Sequence, residues 1–332
     1  MNQDLMIRLF RSIDGEPTDD LIKVAEVIID DERKKGHVRL AERLKNILDK
    51  NVISHRTFTG ELKNILGSSV TIPTDKRNKI PLATEIPREL LRYEMVLPIN
   101  IEEKISRIEN EYVARERLAH YGLKPRKRIL LHGSPGCGKS MSAERIAWNI
   151  GLPFLKVKFE AVISSYLGES AANLKTLFEA VQNYPCVLLL DEFDFIAKSR
   201  DNKQDVGEMH RIVNILLNVL EDYDGPGIII ATTNLEGSID KAMFRRFDDI
   251  IEMPKPGQEE IEHILQSTLG SIKIAKDVKW NLLAEKMIGF SAALIVKIAN
   301  DAAKLSIIKG NDNVNLFFLE QSLRENQLYI KS

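Results

Sequence analysis

The run Gly133, Ser134, Pro135, Gly136, Cys137, Gly138, Lys139 and Ser140 sets glycines, a lysine and a hydroxyl side chain at the spacing of a phosphate-binding loop. Glycine lets backbone N–H groups turn inward with no Cβ in the way, so such a loop can cradle phosphate oxygens. In that cradle Lys139 would bridge the β- and γ-phosphates of ATP, and Ser140 would give Mg²⁺ an oxygen ligand. Met141 continues into the helical stretch SMSAERIAWNI, whose N-terminus favours an anion through its dipole. Cys137 takes a variable loop position and reads as a loop residue, not a redox site.

A second run, CVLLLDE at 186–192, completes the chemistry. Its apolar residues place Asp191 at the C-terminal end of a buried strand, where open α/β sheets bind ligands. Asp191 can hold Mg²⁺ through its water shell. Glu192 is placed to polarise an attacking water, which turns a binding site into a hydrolase.

These residues need a scaffold, and the chain supplies one. Short apolar runs, RILLH at 128–132, PFLKVKF at 153–159, CVLLLD at 186–191 and GIIIATT at 227–233, alternate with helical stretches. That alternation predicts a parallel sheet covered on both faces, with DIIEMP at 249–254 as a fifth strand. After Pro256 the strands are expected to stop, leaving three or four helices over 258–330. The fold class is therefore α/β: a five-stranded parallel sheet of the P-loop NTPase type over 86–255, then a small α-helical lid over 256–332. Residues 1–50 read as an N-terminal helical hairpin. Leu21, Val24, Ala25, Ile28 and Ile29 recur at helical spacing, Thr18 or Asp19 can cap the start, and Gly36 interrupts. Residues 51–85, diluted by Gly60, Gly67, Pro73, Pro81 and KRNK at 76–79, read as a linker.

Composition bounds the rest. The chain has 332 residues, 44% of them hydrophobic, and a formal net charge of −1. That balance argues against a dedicated nucleic-acid binder. Lys124, Arg126, Lys127 and Arg128 form a basic turn that reads as a solvated edge. No run approaches a membrane span, the N-terminus lacks a secretory pattern, and two widely spaced cysteines suggest no disulfide framework. A cytoplasmic protein is expected.

The order and spacing of these motifs resemble the AAA family in its narrow sense, which includes katanin, spastin and the membrane-bound zinc-protease motors. The match runs over roughly residues 90–332. The resemblance implies ATP hydrolysis with Mg²⁺ in a homo-hexamer that handles a protein substrate. Tyr166, Leu167 and Gly168 match the aromatic–hydrophobic–glycine signature of the loop facing the central pore, and 199–207 take the place of a second pore loop. Asn234 matches the polar sensor beside Glu192. Arg245 and Arg246 match the arginines that reach into the neighbouring subunit's site. GFSAAL at 289–294 resembles the start of the lid helix, with Ala292 and Leu294 in place of the family's glycine and aspartate. Small Ala292 still permits close approach to the nucleotide. Met95, Val96 and Leu97 align with the lining of the adenine pocket. His-Glu-x-x-His is absent, so any proteolysis would need a separate protease or adaptor chain. The layout is similar to stand-alone bacterial motors paired with a protease gene, including phage-defence modules. Threading through the ring and an ATP-dependent assembly switch acting through residues 1–50 both remain open on the sequence.

Overall fold

The computed structural model describes residues 72–75, 77, 79–163, 169–193, 206–234, 245–270 and 272–327, together with Ile29 and Lys45. The chain divides into two units, Met1–Ser69 and Val70–Ser332. Apart from Ile29 and Lys45, both helical, the hairpin expected over 1–50 lies outside the described residues.

The second unit is built on a six-stranded sheet. Its strands are β1 (Ala83–Ile86), β2 (Arg128–His132), β3 (Phe154–Val157), β4 (Val187–Leu190), β5 (Ile228–Thr233) and β6 (Asp249–Glu252), in the order β1-β3-β4-β5-β2-β6. β3, β4, β5, β2 and β6 pair in parallel, as expected. Six strands replace the expected five. β1 runs antiparallel along the edge, with Ala83 opposite Val157 and Ile86 opposite Phe154. It comes from the end of the stretch expected as linker, where Pro81 and Pro87 bracket a four-residue strand and obscure its pattern. An edge position tolerates such prolines because one side of the strand needs no partners.

The middle strands are buried on both faces. Val187–Leu190 and Ile228–Thr233 are buried at every position. Helices α1 (Ile99–Val113), α2 (Arg115–His120), α3 (Lys139–Ile150), α4 (Glu169–Gln182) and α5 (Val206–Glu221) connect or cover the strands. α1 turns Ile101, Ile105, Ile108 and Tyr112 inward at three- and four-residue steps, the spacing of one helix face.

The C-terminal part contains α6 (Gln258–Thr268), α7 (Trp280–Glu285), α8 (Ala292–Ile308) and α9 (Leu316–Gln327). Ile261, Leu265, Leu283, Met287, Ile295, Ile298 and Leu319 form its separate core. The expectation that strands stop after Pro256 is corrected here. β7 (Lys273–Ile274) and β8 (Asn313–Val314) pair in parallel. Two-residue strands are too short to show a period of two in the sequence.

Candidate functional site

The sheet order explains the site. β4 pairs with β5, and β5 with β2, so three adjacent strands release their chains at one edge of the sheet. β2 delivers residues 133–138, β4 delivers Asp191 and Glu192, and β5 delivers Thr232, Thr233 and Asn234. Such a carboxyl edge is where open parallel sheets bind ligands.

The loop itself is shaped by close approaches. A Cβ at Gly133 would stand 2.4 Å from the Met253 carbonyl oxygen just after β6. Gly136 has φ +75°, and a Cβ there would lie 2.9 Å from Ser291 Oγ. The N–H of Ala293, in the first turn of α8, donates to the Gly136 carbonyl at 3.0 Å. The lid helix thus starts directly on the phosphate loop. Gly138 caps α3 in a left-handed conformation, so the positive end of that helix opens into the loop. Pro135 and Gly136 are exposed, Ser134 is half-buried, and Cys137 is buried.

Lys139 is only 7% exposed. Its ammonium donates to the carbonyls of Gly133 at 2.7 Å and Ser134 at 2.9 Å, which holds the charge inside the curve of the loop. Beside it lies a compact oxygen cluster. Ser140 Oγ donates to Asp191 Oδ1 at 2.6 Å, and Thr232 Oγ1 donates to the same oxygen at 2.7 Å. Lys156 Nζ holds the other oxygen, Oδ2, at 2.7 Å. Burial alone would raise the Asp191 pKa. The hydrogen bonds from Lys156, Ser140 and Thr232 outweigh it and keep the carboxyl below its ordinary range. A hydroxyl and an ionised carboxylate in contact are hard oxygen donors of the kind Mg²⁺ takes. Glycine cradle, lysine and oxygen pair therefore fit a magnesium-bound triphosphate.

Glu192 is exposed and adopts φ +54°, a left-handed conformation rare for a residue with a Cβ. Asn234 follows β5 and is half-buried. Arg245 is exposed, and Arg246 forms a surface ion pair with Glu221 at 3.5 Å. Both arginines precede two anchors. Phe247 is buried, and the Asp248 carboxylate accepts from the backbone N–H groups of Lys127 and Arg128, each at 2.9 Å, and from Arg128 Nη2 at 2.6 Å. The pair Arg245 and Arg246 is thereby pinned at the start of β6.

Met95 and Val96 reach the site from the segment between β1 and α1. Met95 Sδ accepts from Ser142 Oγ at 3.7 Å, and Val96 packs against the lid core. The segment is strapped onto α3. Arg92 Nε donates to the buried Glu144 carboxylate at 2.9 Å, and Tyr93 stacks on Trp148 with ring centroids 4.0 Å apart. Ala292 packs towards the lid core, while Ala293 touches the loop. Met141 is half-buried on α3. Tyr166, Leu167 and Gly168, and nearly all of 199–207, lie outside the described residues.

The basic turn carries ion pairs. Lys124 and Lys127 each reach Asp224 at 3.1 Å, Arg126 reaches Glu111 at 2.5 Å, and Arg128 reaches Asp248 at 2.6 Å. Lys156 and Thr232 were missed in the sequence. Their signal was a polar residue inside each of two apolar strands, Lys156 in FLKV and Thr232 in IIIATT.

A phosphate loop at the end of β2, an acidic pair after β4 and a polar strand end on β5 define a P-loop nucleotide-binding protein. Residues 129–255 match the model of the ATPase family associated with various cellular activities (AAA). The chain is 33% identical over 311 residues to y4kL, an uncharacterized AAA family ATPase of Sinorhizobium fredii, covering 94% of this chain and 91% of that one. It is 32% identical over 221 residues to proteasome-activating nucleotidase 2 of Haloferax volcanii, covering 64% of this chain and 54% of that protein. The chain belongs to the AAA ATPase family.

Proposed function

We propose that the chain hydrolyses ATP in a Mg²⁺-dependent reaction and uses the cycle to remodel, unfold or thread a protein substrate through a homo-hexameric ring. The observation that carries the catalytic half is the contact of Ser140 with Asp191 at 2.6 Å, directly beside the buried Lys139. Bound Mg²⁺ would draw charge from the β- and γ-phosphates, with Ser140 and Asp191 as its protein anchors. Backbone N–H groups of 133–138 and the Lys139 ammonium hold the phosphates in place. Glu192 takes the proton side of the attacking water, and Asn234 orients that water. Arg245 and Arg246, fixed at the subunit surface by Phe247 and Asp248, reach a neighbour's γ-phosphate and stabilise the charge that develops there. An arginine supplied from next door makes turnover depend on ring assembly. The start of α8, resting on Gly136, lets the lid move with the state of the loop.

Two observations support a protein substrate. One relative is named a proteasome-activating nucleotidase. The cations of the basic turn are paired with carboxylates, which leaves that edge poorly suited to a nucleic-acid backbone. No helix among the described residues is long and apolar enough to cross a membrane. On this reading Tyr166, with Leu167 and Gly168, grips an extended polypeptide, and a separate protease or adaptor completes any degradation. A second reading, an assembly switch acting without threading, draws on the separate unit Met1–Ser69.

The test is a trap. Glu192→Gln should hold ATP without cleaving it and, purified from native cells with ATP, should retain a polypeptide client. Loss of that client when Tyr166→Ala is added supports threading. A client that persists without Tyr166 but needs residues 1–50 supports the switch, and recovery of nucleic acid alone sinks both.

A further inference from the structure

We propose that Thr232 is a positioning residue for hydrolysis, setting the Asp191 carboxylate and the Glu192 backbone with one hydroxyl. The inference rests on the proposed role of Glu192 as the group that activates water.

Thr232 is 1% exposed and sits near the end of β5, opposite the end of β4. Its hydroxyl uses both of its capacities. Oγ1 donates to Asp191 Oδ1 at 2.7 Å and accepts the backbone N–H of Glu192 at 3.0 Å. Its backbone carbonyl accepts the N–H of Phe193 at 2.8 Å, and Phe193 is 2% exposed. The chain leaving β4 is therefore held at three successive residues by one residue of the neighbouring strand.

That grip accounts for the backbone of Glu192. At φ +54° a glutamate is disfavoured, and such a conformation persists only where surrounding bonds over-determine it. Here the Glu192 N–H ends on the threonine hydroxyl and the next N–H on the threonine carbonyl, while Phe193 is buried. The left-handed turn breaks the strand alternation after Asp191. Asp191 can then stay against Ser140 while Glu192, the next residue, is exposed. A purely apolar residue at 232 would leave Asp191 Oδ1 with Ser140 as its one remaining hydroxyl partner and the Glu192 N–H without the threonine acceptor. Thr232 touches none of residues 133–139 through the bonds described, so nucleotide affinity and turnover should separate.

The test uses the full chain with Thr232→Val, which keeps the shape and removes the hydroxyl, Thr232→Ser, which restores it, and Glu192→Gln as reference. Thr232→Val should lower kcat about tenfold to a hundredfold, the scale of a lost hydrogen bond to a charged or buried group. The dissociation constant of a fluorescent ADP, measured in EDTA, should stay within about twofold, a change too small to reflect a lost contact. Hydrogen exchange of the amides of Glu192 and Phe193 should speed up while that of α3 is unchanged. Thr232→Ser should recover kcat and slow exchange together. Full turnover by Thr232→Val with Glu192→Gln inactive would overturn the role of Thr232 alone. Continued hydrolysis by Glu192→Gln would instead overturn the underlying assignment of Glu192. Failure of Thr232→Val to fold, or of Thr232→Ser to restore kcat, would assign Thr232 to packing and end the proposal.

Discussion

Replacing Gly136 by alanine separates backbone strain from crowding between the lid and the phosphate loop. Gly136 and Gly122 have nearly the same left-handed backbone, φ +75° and φ +71°. A Cβ on either should cost about 1–2 kcal/mol from that conformation alone. Around Gly122 the new atom meets nothing within 4 Å, whereas at Gly136 it lands 2.9 Å from Ser291 Oγ and 3.0 Å from Ala293 Cβ. Relief requires the start of α8 to withdraw, which breaks the bond from the Ala293 N–H to the Gly136 carbonyl. Losing that bond adds about 0.5–1.5 kcal/mol. Gly122→Ala should therefore destabilise by about 1–2 kcal/mol and Gly136→Ala by about 1.5–3.5 kcal/mol. The extra increment belongs to the docked lid, so it should also appear as a two- to tenfold loss of nucleotide affinity, at about 1.4 kcal/mol per tenfold. Urea unfolding measures the first quantity, and titration with a fluorescent ADP the second. Equal destabilisation by both alanines, with unchanged affinity in Gly136→Ala, would refute the idea that the lid bears on the loop at this glycine.

Other consequences are as direct. Subunits carrying Arg245→Ala with Arg246→Ala should be inactive alone. Mixing them with Glu192→Gln subunits should restore part of the ATPase rate, because a sound arginine face then meets a sound Glu192; no recovery at any ratio would count against sharing of sites between neighbours. Asp248 is held below its ordinary carboxylate range. Burial opposes ionisation there, but the Arg128 guanidinium and the N–H groups of Lys127 and Arg128 outweigh it. A depressed folded pKa contributes stability that is complete above the unfolded value, near 3.8, and lost as pH falls through the lower folded value. The stability gap between the wild type and Asp248→Asn should be flat near neutrality and shrink on acidification below that point; denaturation midpoints across pH check it, and a gap that widens in acid would contradict the sign. Arg92→Ala leaves the nearly buried Glu144 carboxylate without its guanidinium, at a cost of about 1–3 kcal/mol. In Glu144→Gln the same substitution should cost clearly less in thermal melts, and equal costs would mean that the pair contributes nothing.

Most of the candidate nucleotide site was legible because the pattern that suggests it is local. Residues 133–140 are consecutive, and their function depends on what glycine, lysine and serine do in a tight loop before a helix. Asp191 was legible for a related reason: four apolar residues in a row announce a strand buried on both faces, and the first acidic residue after it marks that strand's exposed end. The strands that failed to appear were those whose pattern is too short or interrupted. β1 is bracketed by prolines and β7 and β8 are two residues each, so no window carries a period. Tertiary pairing, not local preference, makes them strands.

Lys156 and Thr232 escaped for a different physical reason, which bears on how such a site is assembled. A polar residue within an apolar strand reads as an ordinary interruption until register is known. Lys156 stands opposite Leu189, and side chains alternate along a strand, so Lys156 and Asp191 share one face two positions apart. Leu190 stands opposite Ala231, which brings Asp191 level with Thr232 on the other side. Asp191 is thus gripped from both neighbouring strands, by a cation on β3 and a hydroxyl on β5, and from above by Ser140 on α3. A slip of one residue in either pairing would turn these partners to the opposite face of the sheet. The same hydrophobic strand pairing that fixes register therefore also sets the partners and direction of the carboxylate, so the geometry of the candidate site depends on the packing of strand residues outside it.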